Sequence, residues 1–221
     1  MNTRCEGVFW DLIDVLDNAG FLPHIMIIGS WAEYLYVDYF NDDYVPNLKT
    51  HDIDVFYQNP FFEIEGAEKL RGLFKEAGFL FASNPSGTSS FFKGDIEVEF
   101  LSSAWDGKGI FEIPFTGISA EKLDNMSLLE PMQIKSNGHL IKVPTPASYI
   151  VHKLYINPVR RPEHKRQKDI DAIRMLLSYI QNDPIEKGMV GSFVDGLSNE
   201  TRDKILEVAS ANGLSLKSPA E

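Results

Sequence analysis

The stretch KTHDIDVFYQ, residues 49–58, places two aspartates, Asp52 and Asp54, inside a run of β-forming residues. Successive residues of a β-strand point to opposite faces of a sheet, so both carboxylates are predicted to project from one face. Like charges side by side on a sheet repel each other. Two hypotheses follow: a bound cation balances the pair, or the pair lies on the solvated face of an edge strand.

A short apolar segment upstream, HIMIIGS at residues 24–30, reads as a buried strand that ends at Gly29 and Ser30. The following WAEYLYVDYF predicts a helix that starts directly after Ser30. A small residue at the end of the strand lets a phosphate approach the backbone, and the free N–H groups of a helix start attract anions. Gly29 and Ser30 are therefore candidate phosphate-binding residues.

A later segment, DIEVEFL at residues 95–101, repeats the acidic alternation with Glu97 and Glu99. If its strand neighbours the one that carries Asp52 and Asp54, three or four carboxylates converge on one patch of sheet, at a high electrostatic cost. Divalent metal relieves that cost, because Mg²⁺ binds carboxylates together with phosphates and water. Carboxylates for metal and a helix start for phosphates together indicate a nucleoside-triphosphate site.

Composition limits the class of protein. The 221 residues carry a formal net charge of −11, which repels nucleic acid at long range, although the segment NPVRRPEHKRQK at residues 157–168 is basic. The single cysteine, Cys5, excludes an intramolecular disulfide and favours a cytoplasmic location. No apolar run reaches the length of a membrane span, so no membrane partner is expected.

The distribution of elements along the chain predicts an α+β protein in two parts. Helices and strands alternate in the first part, including a helix over residues 61–79 and a hairpin that turns at Asn137 and Gly138. After Pro146 three helical segments follow. We therefore expect a mixed sheet with flanking helices at residues 1–143 and a helical domain at residues 144–221; the family resemblance given below implies that the first is catalytic and that the second binds nucleotide or substrate.

The segments IIGSWAEYLY, KTHDIDVFY and IEVEFL together resemble the nucleotidyltransferase superfamily related to DNA polymerase β. That pattern is an apolar strand, Gly-Gly or Gly-Ser, a helix, Asp-x-Asp on a strand and a third acid on a later strand. Thr50 before HDID, and the later segment VPTPASYIVHKLYINPVRRPEHKRQKDIDAIRMLL, are similar to bacterial minimal and toxin-type nucleotidyltransferases, including the AbiEii-like group. The resemblance covers roughly residues 22–180.

The resemblance implies a role for each matching residue. Asp52 and Asp54 would bind Mg²⁺, with Mn²⁺ as the alternative ion, and Glu99 or Glu97 would be the third acid, with Glu99 favoured by the apolar residues that follow it. Gly29 and Ser30 would hold the triphosphate of an NTP such as ATP. Lys153, together with Lys168 or Lys165, would contact phosphates or the nucleotide from the helical part.

The implied reaction moves a nucleoside monophosphate from an NTP to an acceptor hydroxyl and releases pyrophosphate. The acceptor classes that remain open are tRNA, a protein side chain and a small molecule, and the expected partner is an antitoxin or a second copy of the chain. The third acid is Glu where Asp is commoner in the family. The alternative is therefore a catalytically inactive protein of the same fold that binds nucleotide or a partner chain.

Overall fold

The computed structural model describes residues 3–41, 44–46, 50–58, 62–103, 109–181 and 183–216. The chain divides into two compact units. The first comprises residues 1–126 and 131–143, and the second comprises residues 127–130 and 144–221. None of the helices in the described ranges is long and apolar enough to cross a membrane.

Apart from Pro144, all strand residues of the described ranges lie in the first unit. Its helices are α1 (Thr3–Asn18), α2 (Gly29–Tyr39) and α3 (Leu70–Glu76). Its strands are β1 (Ile25–Ile28), β2 (Asp52–Tyr57), β3 (Leu80–Ser83), β4 (Ser89–Lys93), β5 (Ile96–Ser102), β6 (Ile110–Ile113), β7 (Ile118–Lys122), β8 (Pro131–Ser136) and β9 (His139–Pro144).

Seven of the described strands form one mixed sheet. Its main order is β1-β2-β5-β4-β3, in which β2 and β5 are parallel and the other three pairs are antiparallel. The end of β5 also pairs in parallel with β7, and β7 pairs with β6. The prediction of a mixed sheet with flanking helices is confirmed, and β8 and β9 form the predicted hairpin, as a two-stranded sheet of their own.

The core of the first unit fixes the start of α2. The apolar stripe of α1 is buried as its helical spacing predicts, with Phe9 and Leu12 fully inaccessible to solvent. Trp31, two residues into α2 after Gly29, is also fully buried and stacks on Phe9 with 4.6 Å between ring centroids. This aromatic contact holds the first turn of α2 against α1 and thereby positions Gly29 and Ser30.

The second unit is helical, with α4 (Pro146–Ile156), α5 (Glu163–Ile180), α6 (Pro184–Asp195) and α7 (Asn199–Ala211). Three of these helices begin at a residue whose side chain accepts a backbone N–H: Thr145 before α4, Asp183 before α6 and Ser198 before α7. Such caps satisfy N–H groups that the first helical turn leaves without partners. The sequence predicts α4, α5 and α7, but α6 was missed.

One prediction in the first unit was wrong, and one segment had no prediction. The helix expected over residues 61–79 is regular only at α3, because Gly66, at φ +80°, separates it from the preceding residues; residue 61 lies outside the described ranges. The segment between residues 109 and 122 forms β6 and β7, which the sequence reading left unassigned. The unassigned segment matters for function, because β7 carries an additional carboxylate near the candidate site.

Candidate functional site

Four predicted site acids lie on two neighbouring strands. In the parallel pairing of β2 with β5, Asp52 is opposite Glu97 and Asp54 is opposite Glu99. Paired residues of adjacent strands point to the same face, at a strand spacing of about 4.8 Å. All four carboxylates therefore share one face of the sheet.

The opposite face of the same two strands is apolar and buried. Ile53, Val55 and Val98 are fully inaccessible to solvent, whereas Asp52 is exposed and Glu99 is half-buried. Burying this apolar face stabilises the pairing, and a slip of one residue in either strand would place carboxylates in the core. The hydrophobic alternation of β2 and β5 is thus what fixes the acids on the accessible side.

Gly29 lies against the carboxylate of Asp54. Ile28, the last residue of β1, pairs with Asp54, and the chain then enters α2 at Gly29 with φ +66°. A Cβ atom built at Gly29 would lie 2.6 Å from Oδ2 of Asp54. Only glycine combines this backbone conformation with so close an approach. Ser30 follows in the first turn of α2, where backbone N–H groups have no partner inside the helix.

This arrangement of carboxylates changes the pKa of Glu99. Burial, followed in order of importance by the carboxylates of Glu97, Asp54, Asp52 and Glu121, raises the pKa of Glu99 to about 7. A carboxyl group with such a pKa is part protonated at neutral pH. It is therefore able to accept a proton there, which is the property required of a general base.

Glu121 was missed by the sequence analysis. It lies on β7 opposite Leu101, two residues beyond Glu99 on β5, so it shares the face of the other acids. The segment ISAEK that forms β7 does alternate, and this is the signal that would have found it. Ser90, on β4, is a second neighbour of Glu99 that was not predicted; it pairs with Glu99 from the other side and is fully buried.

The donor chemistry of this face suits a hard divalent cation. Mg²⁺ at phosphoryl-transfer sites binds one or two carboxylates and completes its shell with phosphate oxygens and water, and carboxylate oxygens are what Asp52, Asp54 and Glu99 offer. In the described part of the chain, however, no three His, Cys, Asp or Glu side chains already surround a common point that would hold a metal. The residues fit such an ion by type and by position on the strands.

The two predicted phosphate-binding lysines lie in the second unit. Lys153, on α4, is buried, and its Nζ is 2.6 Å from Oδ1 of Asp169 on α5. Lys168 precedes Asp169 on α5 and is half-buried. The structure thus assigns Lys153 an ion-pair partner that its sequence context did not reveal, although Asp169 stands in the same segment KDID.

The sheet, the acid-bearing strand pair and the glycine at the start of α2 define the class of nucleotidyltransferase-fold proteins. A family model described as nucleotidyltransferase matches residues 9–189, and this chain belongs to that family. Among well-characterised proteins, no sequence matches the chain significantly.

Solved structures with similar folds are remote in sequence. A crystal structure of an antigenic nucleotidyltransferase-like protein from Paracoccidioides brasiliensis has 15% identity and a TM-score of 0.53, covering 98% of this chain and 95% of that chain. ANT(2")-Ia in complex with adenylyl-2"-tobramycin has 16% identity and a TM-score of 0.49, covering 88% and 98%. The Megavirus polyadenylate synthase has 14% identity and a TM-score of 0.45, covering 80% and 32%. At 15% identity, the similarity to the first of these structures shows a shared fold only.

Proposed function

We propose that this chain transfers a nucleoside monophosphate from an NTP to an acceptor hydroxyl and releases pyrophosphate. The observation that carries the proposal is the position of Asp54, which lies between Gly29 on one side and Glu99 on the other. A phosphate-binding helix start and a pair of carboxylates are thus adjacent, as transfer of a phosphoryl group requires.

Gly29 and Ser30 would bind the triphosphate. Gly29 has no side chain between its backbone and the space in front of α2, and Ser30 adds a hydroxyl donor beside the N–H groups of the first turn. Lys153 and Lys168, in the second unit, are proposed as further cations for the phosphates. In this proposal the first unit, near residues 1–143, is catalytic and the second, near 144–221, binds nucleotide or substrate.

Glu99 would remove the proton of the acceptor. The hydroxyl oxygen attacks the α-phosphorus, the bond between that phosphorus and the pyrophosphate oxygen breaks, and the proton passes to the Glu99 carboxylate. Asp52, Asp54 and Glu99 would hold Mg²⁺ or Mn²⁺, which when bound supplies positive charge against the triphosphate. Glu97 is the alternative third acid because it lies opposite Asp52.

The acceptor class is part of the same proposal. tRNA is supported by the basic segment at residues 157–168, and a protein or small-molecule acceptor by the net charge of −11, which disfavours long polynucleotides. The sequence similarity to toxin-type enzymes supports a toxin of the AbiEii-like group, with an antitoxin or a second copy of the chain as its partner. A cytoplasmic location fits the single cysteine.

A second candidate function is nucleotide or partner binding without catalysis. It is favoured by the finding that no three acid side chains in the described ranges already form a metal-holding group. An active enzyme would gather Asp52, Asp54 and Glu99 on binding metal and NTP, whereas an inactive relative would bind NTP through α2 alone.

Incubation with each α-³²P-labelled NTP and Mg²⁺ tests the two functions together. Total tRNA, a protein lysate and aminoglycosides serve as separate acceptors, and the Asp54→Asn variant serves as the inactive form. Asp95→Asn is the matched control, since Asp95 lies exposed in the turn between β4 and β5. Label transfer that disappears only in Asp54→Asn supports the enzyme. NTP binding by calorimetry without transfer to any acceptor supports the binding module instead.

A further inference from the structure

The face of the sheet that carries the acids continues beyond them as an uncharged surface. In the antiparallel pairing of β5 with β4, Phe92 lies opposite Glu97, and in the pairing of β4 with β3, Leu80 lies opposite Phe92. Paired residues of adjacent strands point to the same face, so Phe92 and Leu80 extend the row that begins with the acids. Four residues of β4 and β3 share this face and are called here the uncharged platform: Ser90, Phe92, Leu80 and Ala82.

The strands of the uncharged platform are apolar on both faces. Phe91 points to the opposite face, where its ring stacks on Phe74 of α3 with 3.9 Å between ring centroids. A solvated face of an antiparallel sheet normally alternates with the buried one and carries polar residues. On the platform, however, Leu80 is 73% exposed and Phe92 is half-buried. The side chains of the described residues thus leave a contiguous apolar surface accessible directly beside the acids.

The charges on this face exclude some kinds of ligand. Lys93 is the only Lys or Arg on β2, β3, β4 and β5 as the structure describes them, and it forms an ion pair with Asp11 of α1 on the opposite face. A polynucleotide would bring phosphates against carboxylates with no strand cation between them. An ammonium group would be attracted to the acids but would lose hydration over Phe92 and Leu80. The platform therefore suits a neutral apolar group.

The proposed reaction fixes the side from which the acceptor approaches. The triphosphate would lie at Gly29 and Ser30, beside Asp54 and on the β1 side of the acids. In a phosphoryl transfer the attacking and leaving oxygens are roughly in line, on opposite sides of the phosphorus. The acceptor hydroxyl therefore comes from the side away from Gly29. In the strand order β1-β2-β5-β4-β3, that side is the one formed by β4 and β3.

We propose that Phe92 and Leu80 bind the acceptor and select a small neutral molecule whose hydroxyl is carried by an aromatic ring. The ring would lie over the small side chains of Ser90 and Ala82 and against the ring of Phe92. This position directs the hydroxyl toward Glu99, the residue opposite Ser90. From Glu99 to Ala82 the sheet spans two strand spacings, about 10 Å, which accommodates one ring. A protein partner needs a much larger area, about 800 Å² on each side. The role as acceptor rests on the proposed function.

Binding of N-acetyltyrosinamide to the full chain in EDTA, without NTP, tests the surface apart from catalysis. Ligand-observed NMR on the ring protons of the probe gives the affinity, and circular dichroism verifies that each variant is folded. We expect Leu80→Ser and Phe92→Leu each to weaken binding at least about fivefold. N-acetylserinamide keeps the hydroxyl and both amides but lacks the ring, so it should bind at least about tenfold more weakly than the tyrosine probe.

Leu140→Ser is the matched control, because Leu140 is an exposed leucine on β9, a strand of the separate hairpin. It should leave the affinity for N-acetyltyrosinamide unchanged. Three results would overturn the proposal: no binding of this probe to the wild type, equal affinity for the two amides, or equal affinity in the wild type and Leu80→Ser. A wild type that sediments as a dimer and a Leu80→Ser variant that sediments as a monomer would assign the platform to a second copy of the chain, and would overturn it as well.

Label transfer separates failure of this inference from failure of the proposed function. With each α-³²P-labelled NTP and N-acetyltyrosinamide as acceptor, Leu80→Ser should raise the KM for the acceptor at least about fivefold, whereas Leu140→Ser should not. Transfer to an aminoglycoside or to RNA, with none to N-acetyltyrosinamide, overturns the inference and keeps the proposed function. Probe binding that Leu80→Ser weakens, without transfer to any acceptor, keeps an aromatic-ligand site but overturns its role as an acceptor site together with the proposed function.

Discussion

Glu99 lies directly across from Asp54 in the parallel pairing of β2 with β5, while Glu97 lies across from Asp52. Glu97 and Glu99 share a face of the sheet, and their spacing in the sequence does not distinguish them. The strand register does, because it places a different aspartate opposite each glutamate. Asp54 also touches Gly29 at the start of α2, so Glu99 is the glutamate nearer to the proposed phosphate position. The structural difference between the two glutamates leads to the first prediction.

Glu99→Gln should remove nucleotidyl transfer, whereas Glu97→Gln should only weaken it. The loss of a positioned base typically costs a factor of about 100 to 10,000 in rate, and we expect Glu99→Gln in that range and Glu97→Gln below about tenfold. Initial rates with saturating NTP and Mg²⁺ measure both. Circular dichroism verifies that each variant is folded, and a larger loss in Glu97→Gln would reverse the assignment.

The raised pKa of Glu99 predicts a pH-dependent stability of the metal-free protein. Because its pKa is about 7 in the folded state, against an ordinary value of 4.5 for a glutamate, the folded state binds the proton more tightly than the unfolded state. The free energy of unfolding should therefore fall as the pH rises from about 5 to 8. Glu99 is half-buried and solvent screens its neighbours, so the effect should be on the order of 1 kcal/mol.

Urea unfolding in EDTA at pH 5, 6, 7 and 8 measures this dependence. Glu99→Gln carries no titrating group and should lose that part of the pH slope, becoming more stable than the wild type at pH 8. Glu112→Gln, an exposed glutamate on β6, should keep the slope. Equal slopes in the wild type and Glu99→Gln would show that Glu99 does not hold the extra proton.

Gly29→Ala should damage both the stability and the activity of the protein. The φ of +66° costs a residue with a side chain about 1–2 kcal/mol, and the added methyl would displace the Asp54 carboxylate that lies 2.6 Å from the Cβ position. We expect a lower unfolding midpoint and at least about a tenfold loss of transfer. Gly7→Ala is the control: nothing lies within 4 Å of its Cβ position in α1, so about 0.5–1 kcal/mol of stabilisation is expected.

Some of these structural relationships could be predicted from the sequence because they depend on local patterns. The alternation in β2 places Asp52 and Asp54 on one face whatever surrounds them, and a strand followed by Gly29 and Ser30 leads into a helix by short-range rules. The choice between Glu97 and Glu99 is different. Both have the same local pattern, and only the pairing of β2 with β5, set by burial of the apolar faces of both strands, decides which acid meets Asp54.

Long-range packing also explains what the sequence analysis missed. Glu121 shares the face of the other acids only because β7 pairs with the end of β5, and β7 itself is a short strand of five residues. Likewise, the charge of Lys153 suggests phosphate binding when read alone, and its ion pair with Asp169 depends on how α4 packs against α5. A charged residue in a sequence does not show which partner the fold gives it.

Tyr44→Phe should destabilise the first unit without changing the acids of the candidate site. The Tyr44 hydroxyl donates to Oε1 of Glu33 at 2.7 Å, and both residues are almost fully buried. Removing the donor leaves the Glu33 carboxylate with one hydrogen bond fewer in a dry environment, at a cost of about 2 kcal/mol in the free energy of unfolding. Tyr155→Phe is the control, and a change below about 0.5 kcal/mol is expected there. Equal effects would show that the buried hydrogen bond is not what stabilises this region.

Glu121→Gln should move the pKa of Glu99 back toward its ordinary value. Glu121 carries one of the four negative charges that raise this pKa, so its neutralisation makes the ionised form of Glu99 less costly. Carboxyl ¹³C NMR of the metal-free protein, with Glu99→Gln used to assign the Glu99 signal, follows the titration directly. Glu112→Gln again serves as the control, because it removes an equal charge from β6 without being among the causes of the shift. If Glu121→Gln and Glu112→Gln give the same titration curve for Glu99, Glu121 does not contribute to the electrostatic field at Glu99. If only Glu121→Gln lowers the pKa of Glu99, β7 belongs to the acid site.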